Sequence, residues 1–143
     1  MTWEEAGTQQ AATIGPGFVL LVGAGSDDDE STVRKLADKL VDLRVFADEA
    51  GKMNLSLEDV RGSALIVSQF TLFADMSRGR RPSLLKAGDP KRAEELYLAF
   101  IQRFRERGIE TQTGSFGADM RVTIDNDGPV TLVLSSDDWP TRV

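Results

Sequence analysis

The chain has 143 residues, 41% of them hydrophobic and 28% charged, with a formal net charge of −6. That length supports one domain with a real core, and no apolar run approaches the about 20 residues of a membrane-spanning helix. Histidine and cysteine are absent, which excludes Ser-His-Asp and Cys-His catalysis, disulfides, and zinc sites built on those ligands. Any proton transfer must then come from Asp, Glu, Lys or Tyr, from backbone and water, or from the substrate.

Taken in order, residues 1–13 show weak patterning and read as irregular or at best one short strand. The opening Met1-Thr2-Trp3-Glu4-Glu5 lacks the basic and apolar stretches of a signal peptide. With the missing cysteines, this leads to the expectation of a cytoplasmic protein. Ile14-Gly15-Pro16-Gly17 is a turn, and Phe18 to Val22 a buried strand. Ser31 to about Phe46 is an amphipathic helix, with Val33, Leu36, Ala37 and Leu40 on one face. The acids Asp27 to Glu30 precede it and suit the positive end of its dipole. They lack the alternating ligands of a calcium loop, so no metal is expected.

Asp48 to Lys52 is a turn, and Met53 to Leu57 alternates like an edge strand. Ser63 to Leu72 is the expected central strand, its run Ala64 to Val67 covered on both faces. Asp89-Pro90 opens a second helix with an N-cap and a first-turn proline. Ala93, Leu96, Tyr97, Phe100 and Phe104 form its apolar stripe, and Gly108 ends it. Strands are then expected at Ile109 to Thr113, Met120 to Asp125 and Val130 to Leu134, followed by a loose tail over residues 137–143. The fold class is α/β or α+β: one domain over residues 1–143, with roughly six strands and two principal helices.

The chemistry gathers in the middle of the chain. Ser68, Gln69 and Thr71 are polar where a buried strand should still be inside, and buried polar groups need partners or a task. Just beyond lies the densest basic cluster, Arg78, Arg80 and Arg81. One local basic patch on an acidic protein suits a compact phosphate-bearing partner better than duplex wrapping. A strand running into a solvated loop is the plainer reading of the same residues. Asn126-Asp127-Gly128-Pro129 reads first as a hairpin connection. Its Gly-Pro pair also presents two backbone carbonyls with little bulk.

Six motifs occur in order: Ile14-Gly15-Pro16-Gly17, Lys52-Met53-Asn54-Leu55-Ser56, Ser68-Gln69-Phe70-Thr71-Leu72, Gly79-Arg80-Arg81-Pro82-Ser83, Phe116-Gly117-Ala118-Asp119-Met120 and Asn126-Asp127-Gly128-Pro129-Val130-Thr131. Together, from about Ile14 to Ser135, they resemble the D-aminoacyl-tRNA deacylase family, also called D-tyrosyl-tRNA deacylases. The resemblance implies a β-sheet or barrel-like core with two main helices, in a homodimer whose active site lies at the interface. It implies hydrolysis of the ester between a D-amino acid, or mischarged glycine, and the tRNA 3′ end, without cofactor, metal, membrane or DNA.

By this resemblance Ser68, Gln69, Phe70 and Thr71 line the catalytic pocket, with backbone amides as oxyanion donors. Gly128 and Pro129, a cis pair in the family, come from the partner subunit and exclude L substrates. Ala118 and Met120 belong to the pocket, and Arg78, Arg80 and Arg81 meet tRNA phosphates. The terminal 2′-hydroxyl of the substrate is expected to help activate water, which would explain a histidine-free site. One departure stands out. Family members open with a strand carrying Gln-Arg-Val and a second strand leading to the Gly-Pro-Gly turn. Residues 1–13 carry neither that pattern nor, by length, room for both strands. A second reading is therefore a catalytically impaired tRNA- or RNA-binding module of the same fold that lacks the first strand.

Overall fold

A computed structural model describes residues 1–77 and 79–136. Arg78 and the expected tail over residues 137–143 lie outside the described residues.

The organising element is β6 (Ser63–Ser68). Alternation along it sends Ala64 and Ile66 to one face and Leu65 and Val67 to the other. β6 pairs in parallel with β3 (Gly17–Val22) on one side and β7 (Glu110–Thr113) on the other. Parallel neighbours need crossovers, and helices supply both. α1 (Glu30–Asp42) follows β3, and α2 (Pro90–Glu106) precedes β7. Both helices lie on the Ala64/Ile66 face. There Val33, Ala37, Val41, Leu96, Tyr97, Phe100, Ile101 and Phe104 close the main core. Phe104 is fully buried, so Phe104→Ala should cost about 3–5 kcal/mol.

The helices start and stop as their sequences dictate. Asp29 caps α1 by accepting from the Thr32 amide at 2.7 Å, and Asp89 caps α2 by accepting from Arg92 at 3.2 Å. Their polar edges are clamped together. Arg103 of α2 and Arg107 at its C-cap donate to Asp38 at 2.8 and 3.1 Å, and Arg107 also reaches Asp42 at 2.7 Å. Arg34 reaches across to Glu106 at 2.6 Å.

The other face of β6 carries the largest correction. Residues 1–13 are not irregular. They form a hairpin of β1 (Thr2–Glu5) and β2 (Thr8–Ala11), in register from Thr2↔Ala11 to Glu5↔Thr8. Its two turn residues, Ala6 and Gly7, both have positive φ (49° and 76°), as a two-residue hairpin turn requires. Length was no obstacle, because four residues per strand suffice. β1 also pairs with β8 (Met120–Arg121), giving the sheet β2-β1-β8. That sheet covers Leu65 and Val67 with Met1, Trp3, Ala12, Met120 and Val122. The layers are thus helices, parallel sheet and antiparallel sheet, in one mixed α/β domain.

Three further differences concern element ends. α1 stops at Asp42, and Phe46 belongs to β4 (Phe46–Ala47), which pairs with β5 (Met53–Leu55). The strand expected over Met120 to Asp125 spans only Met120–Arg121. Val130 to Leu134 forms no strand, although its composition favours one. Ile124 and Leu132 stay about half exposed, at 50% and 52%.

The Gly-Pro-Gly turn explains how β3 comes so close to β6. A Cβ on Gly17 would stand 1.9 Å from the Ser63 carbonyl oxygen, and the Ser63 amide donates to Pro16 at 3.1 Å. Only glycine fits there.

Candidate active site

The central strand does not continue to Leu72. β6 ends at Ser68, and Phe70–Phe73 turns into a 3-10 helix. This turn resolves the puzzle of polar residues in a buried run: the chain leaves the core at Gln69. Ser68 is half-buried and pairs in register with Val22. The Gln69 amide donates to the Val22 carbonyl at 2.8 Å, so that amide is committed to the fold. The Leu72 and Ala74 amides donate to Gln69 and Thr71 carbonyls at 3.2 and 3.1 Å.

Among the described residues, the amides of Phe70 and Thr71 have no backbone acceptor. They are the orphan donors that any helix start leaves. Both residues are exposed, Phe70 at 56%. Two unengaged N–H groups at the surface can hold a developing oxyanion. The Gln69 side-chain amide donates to the Thr71 hydroxyl, which leaves that hydroxyl's own proton pointing elsewhere.

Among the described residues, neither Asp75 nor Tyr97 serves Thr71 as a general base. Asp75 is capped by Ser77, whose hydrogen bonds hold its carboxyl below the usual carboxylate range. The Tyr97 hydroxyl is inside, donating to the Ile66 carbonyl at 2.8 Å, and burial pushes it up to about 12. It holds the strand from beneath and stays protonated. Among the described residues no group of three or more acidic side chains could hold a metal ion.

A loop leaves Phe73 and returns to β3. Its neck is a mutual pair of bonds between Asp75 and Ser83, at 2.8 and 2.9 Å, and beyond the neck Arg80 and Arg81 are exposed. The loop re-enters the fold where the Gly88 amide donates to Ala24 at 3.1 Å. The basic segment therefore hangs from the same strand ends as the Phe70–Thr71 donors. Arg78 lies outside the described residues.

The remaining candidates sit apart. Ala118 is half-buried in a turn, its amide donating to Ser115 at 3.2 Å. Met120 opposes Trp3 in β8 and packs with Leu65 and Val67 on the underside of β6. Gly128-Pro129 is a cis peptide, exposed at the tip of the 126–131 turn, where Asn126 donates to the Thr131 hydroxyl at 2.9 Å. Gly128 has φ of +120°, and a Cβ there would meet Val130 Cγ2 at 2.8 Å. The position accepts glycine and resists any side chain.

Comparison with known proteins settles the family. The family model for D-Tyr-tRNA(Tyr) deacylase matches residues 5–135. The chain belongs to the D-Tyr-tRNA(Tyr) deacylase family. Among relatives, a D-aminoacyl-tRNA deacylase of Neisseria meningitidis serogroup B is 50% identical over 139 residues, spanning 97% of this chain and 84% of that one. One from Fervidobacterium nodosum is 54% identical over 123 residues, 86% of this chain and 83% of its own. Among solved structures, a chain titled c-Myc DNA Unwinding Element Binding Protein aligns with TM-score 0.80 and 36% identity, covering 92% of this chain and 89% of that one. A probable eukaryotic D-amino acid tRNA deacylase shares the fold, with TM-score 0.67 and 18% identity over 78% and 82% of the two chains. The deacylase family match begins at the last residue of β1 and includes all of β2 and every candidate described above. No helix among the described residues is long and apolar enough to cross a membrane.

Proposed function

We propose that this chain hydrolyses the ester joining a D-amino acid, or mischarged glycine, to the 3′ end of tRNA. Membership of the deacylase family carries the reading, and the exposed, unengaged amides of Phe70 and Thr71 support it. Water attacks the ester carbonyl, a C–O bond forms, and the oxyanion rests on those two amides. The ester C–O bond then breaks. The ribose 3′-oxygen leaves with a proton, giving free D-amino acid and free tRNA. With no histidine in the chain, the 2′-hydroxyl of the terminal adenosine relays the proton.

Gly128 and Pro129 of a second copy complete the pocket in a homodimer. Their main-chain atoms fill the space that an L side chain needs. A backbone gate tests the α-carbon and ignores the rest, which gives a broad D range and steep rejection of L. Ser68 and Gln69 shape the floor, Ala118 and Met120 flank it, and Arg78, Arg80 and Arg81 meet tRNA phosphates. The work fits a cytoplasmic protein acting beside translation, with RNA rather than DNA as its partner.

The test compares D-tyrosyl-tRNA ending in ordinary adenosine with the same substrate ending in 2′-deoxyadenosine, the amino acid on the 3′-oxygen in both. Hydrolysis of the first, and a rate on the second lower by about a hundredfold or more, is expected for a lost proton relay. Equal rates would remove the 2′-hydroxyl from the mechanism. No hydrolysis of either would favour the binding-only module.

A further inference from the structure

The Phe70–Thr71 donors and the basic loop meet at one side chain that neither role accounts for. Phe73 closes the 3-10 helix, and its ring lies across the end of β3. A Cβ on Gly23 would stand 3.0 Å from Phe73 Cε2, and one on Gly25 would stand 2.9 Å from Phe73 Cε1. The ring therefore spans two glycines whose missing side chains make its seat. The seat is itself braced. The buried Gly25 donates its amide to Asp28 at 2.8 Å, and Asp28 also accepts from Ser136 at 3.2 Å. Gly25 pairs with Ala87, and a Cβ on Gly88 would stand 3.1 Å from the Gly25 carbonyl oxygen. Four segments converge there: the end of β3, the 3-10 helix, the returning basic loop, and the stretch that follows Gly128-Pro129.

We infer that Phe73, seated on Gly23 and Gly25, is a positioning residue that sets the Phe70 and Thr71 amides against the scissile ester. This rests on the deacylase reading above. Oxyanion alignment is lost within about 1 Å of displacement, whereas exposed arginines follow phosphates over longer distances. A disturbed seat should therefore lower kcat and spare KM.

Three variants test it: Gly25→Ala, which pushes a methyl into the ring; Phe73→Leu, which shrinks the ring; and the two combined. Each is assayed by single-turnover hydrolysis of D-tyrosyl-tRNA, by KM, and by amide hydrogen exchange at Leu72 and Ala74. Each single variant should lose about tenfold or more in kcat, with KM within about threefold. The pair should recover at least part of the Gly25→Ala loss, because contacting residues do not add. Leu72 and Ala74 should exchange faster in the singles and slow again in the pair. Should Gly25→Ala fail to fold, Phe73→Leu decides by its kcat and exchange. The inference is overturned if kcat stays within about twofold in the folded single variants, or if losses are additive and accompanied by a raised KM. If the wild type turns nothing over, the deacylase reading fails. The exchange data then decide the seat alone: unchanged protection at Leu72 and Ala74 in the folded single variants overturns it, and faster exchange upholds it.

Discussion

Thr71 is the residue on which two mechanisms part. As a nucleophile it would need a base, and among the described residues the candidates are engaged otherwise: Asp75 accepts from Ser77, Tyr97 is buried and protonated, and the neutral Gln69 amide donates to the Thr71 hydroxyl. As a backbone donor it needs only its amide, which Thr71→Val preserves. That variant should keep hydrolysis within about tenfold of wild type, whereas removal of a covalent nucleophile would cost several orders of magnitude. A steady-state rate on D-tyrosyl-tRNA decides between them. In the sequence, the missing histidines narrowed the proton carriers to Asp, Glu, Lys, Tyr, backbone, water or substrate, and the family resemblance pointed to backbone and substrate. The 3-10 turn was not legible there. Ala64 to Val67 is a strand pattern, and the polar residues that follow it do not say where the strand stops. The stop comes from Gln69 bonding to Val22 and from Phe73 finding its seat, both contacts made across the fold. Phe73 itself drew no notice, because one more aromatic in an apolar run carries no local signal.

Among the elements, the helices were the most legible. Asp29 and Asp89 cap them, and the 3.6-residue stripe of each names its buried face. The hairpin was hidden because Glu4, Glu5, Thr8 and Gln9 are all exposed, leaving no alternation to read, and because its turn uses an alanine at positive φ. The last strand misled in the opposite way. Val130, Leu132 and Val133 have strand composition but lie exposed, and composition alone does not make a strand. The clamp between α1 and α2 carries a pH prediction. Hydrogen bonds from Arg103 hold Asp38 below the usual carboxylate range, and those from Arg34 do the same for Glu106. Both pKa values are depressed in the folded state. Their stabilisation is therefore fully present above the unfolded carboxylate range, near pH 4, and fades as pH falls through the folded values. Asp38→Asn should lower the melting temperature at neutral pH and flatten its decline below about pH 4. A parallel acid limb in the variant would remove Asp38 from the clamp's energetics.

At the scale of the molecule, an acidic chain carries one local basic loop. Arg80 and Arg81 are exposed beyond the Asp75–Ser83 neck, which suits phosphates at a tRNA end. Replacing both with alanine should weaken tRNA binding and reduce the slope of log affinity against log salt by about one to two, one unit of charge per lost phosphate contact. An unchanged slope would place the tRNA elsewhere. The proposed dimer gives the exposed turn at Gly128-Pro129 a partner and brings the two halves of the site together. The most direct measurement of the whole account sets D-tyrosyl-tRNA beside L-tyrosyl-tRNA, with the wild-type chain and with Gly128→Ala. The wild type should hydrolyse the D ester at least about 10³-fold faster than the L ester, a steep rejection of the kind steric exclusion gives. Gly128→Ala, strained at φ of +120° and crowded by Val130, should lose that ratio or lose the activity. Equal wild-type rates on both esters, or none on either, would contradict the account.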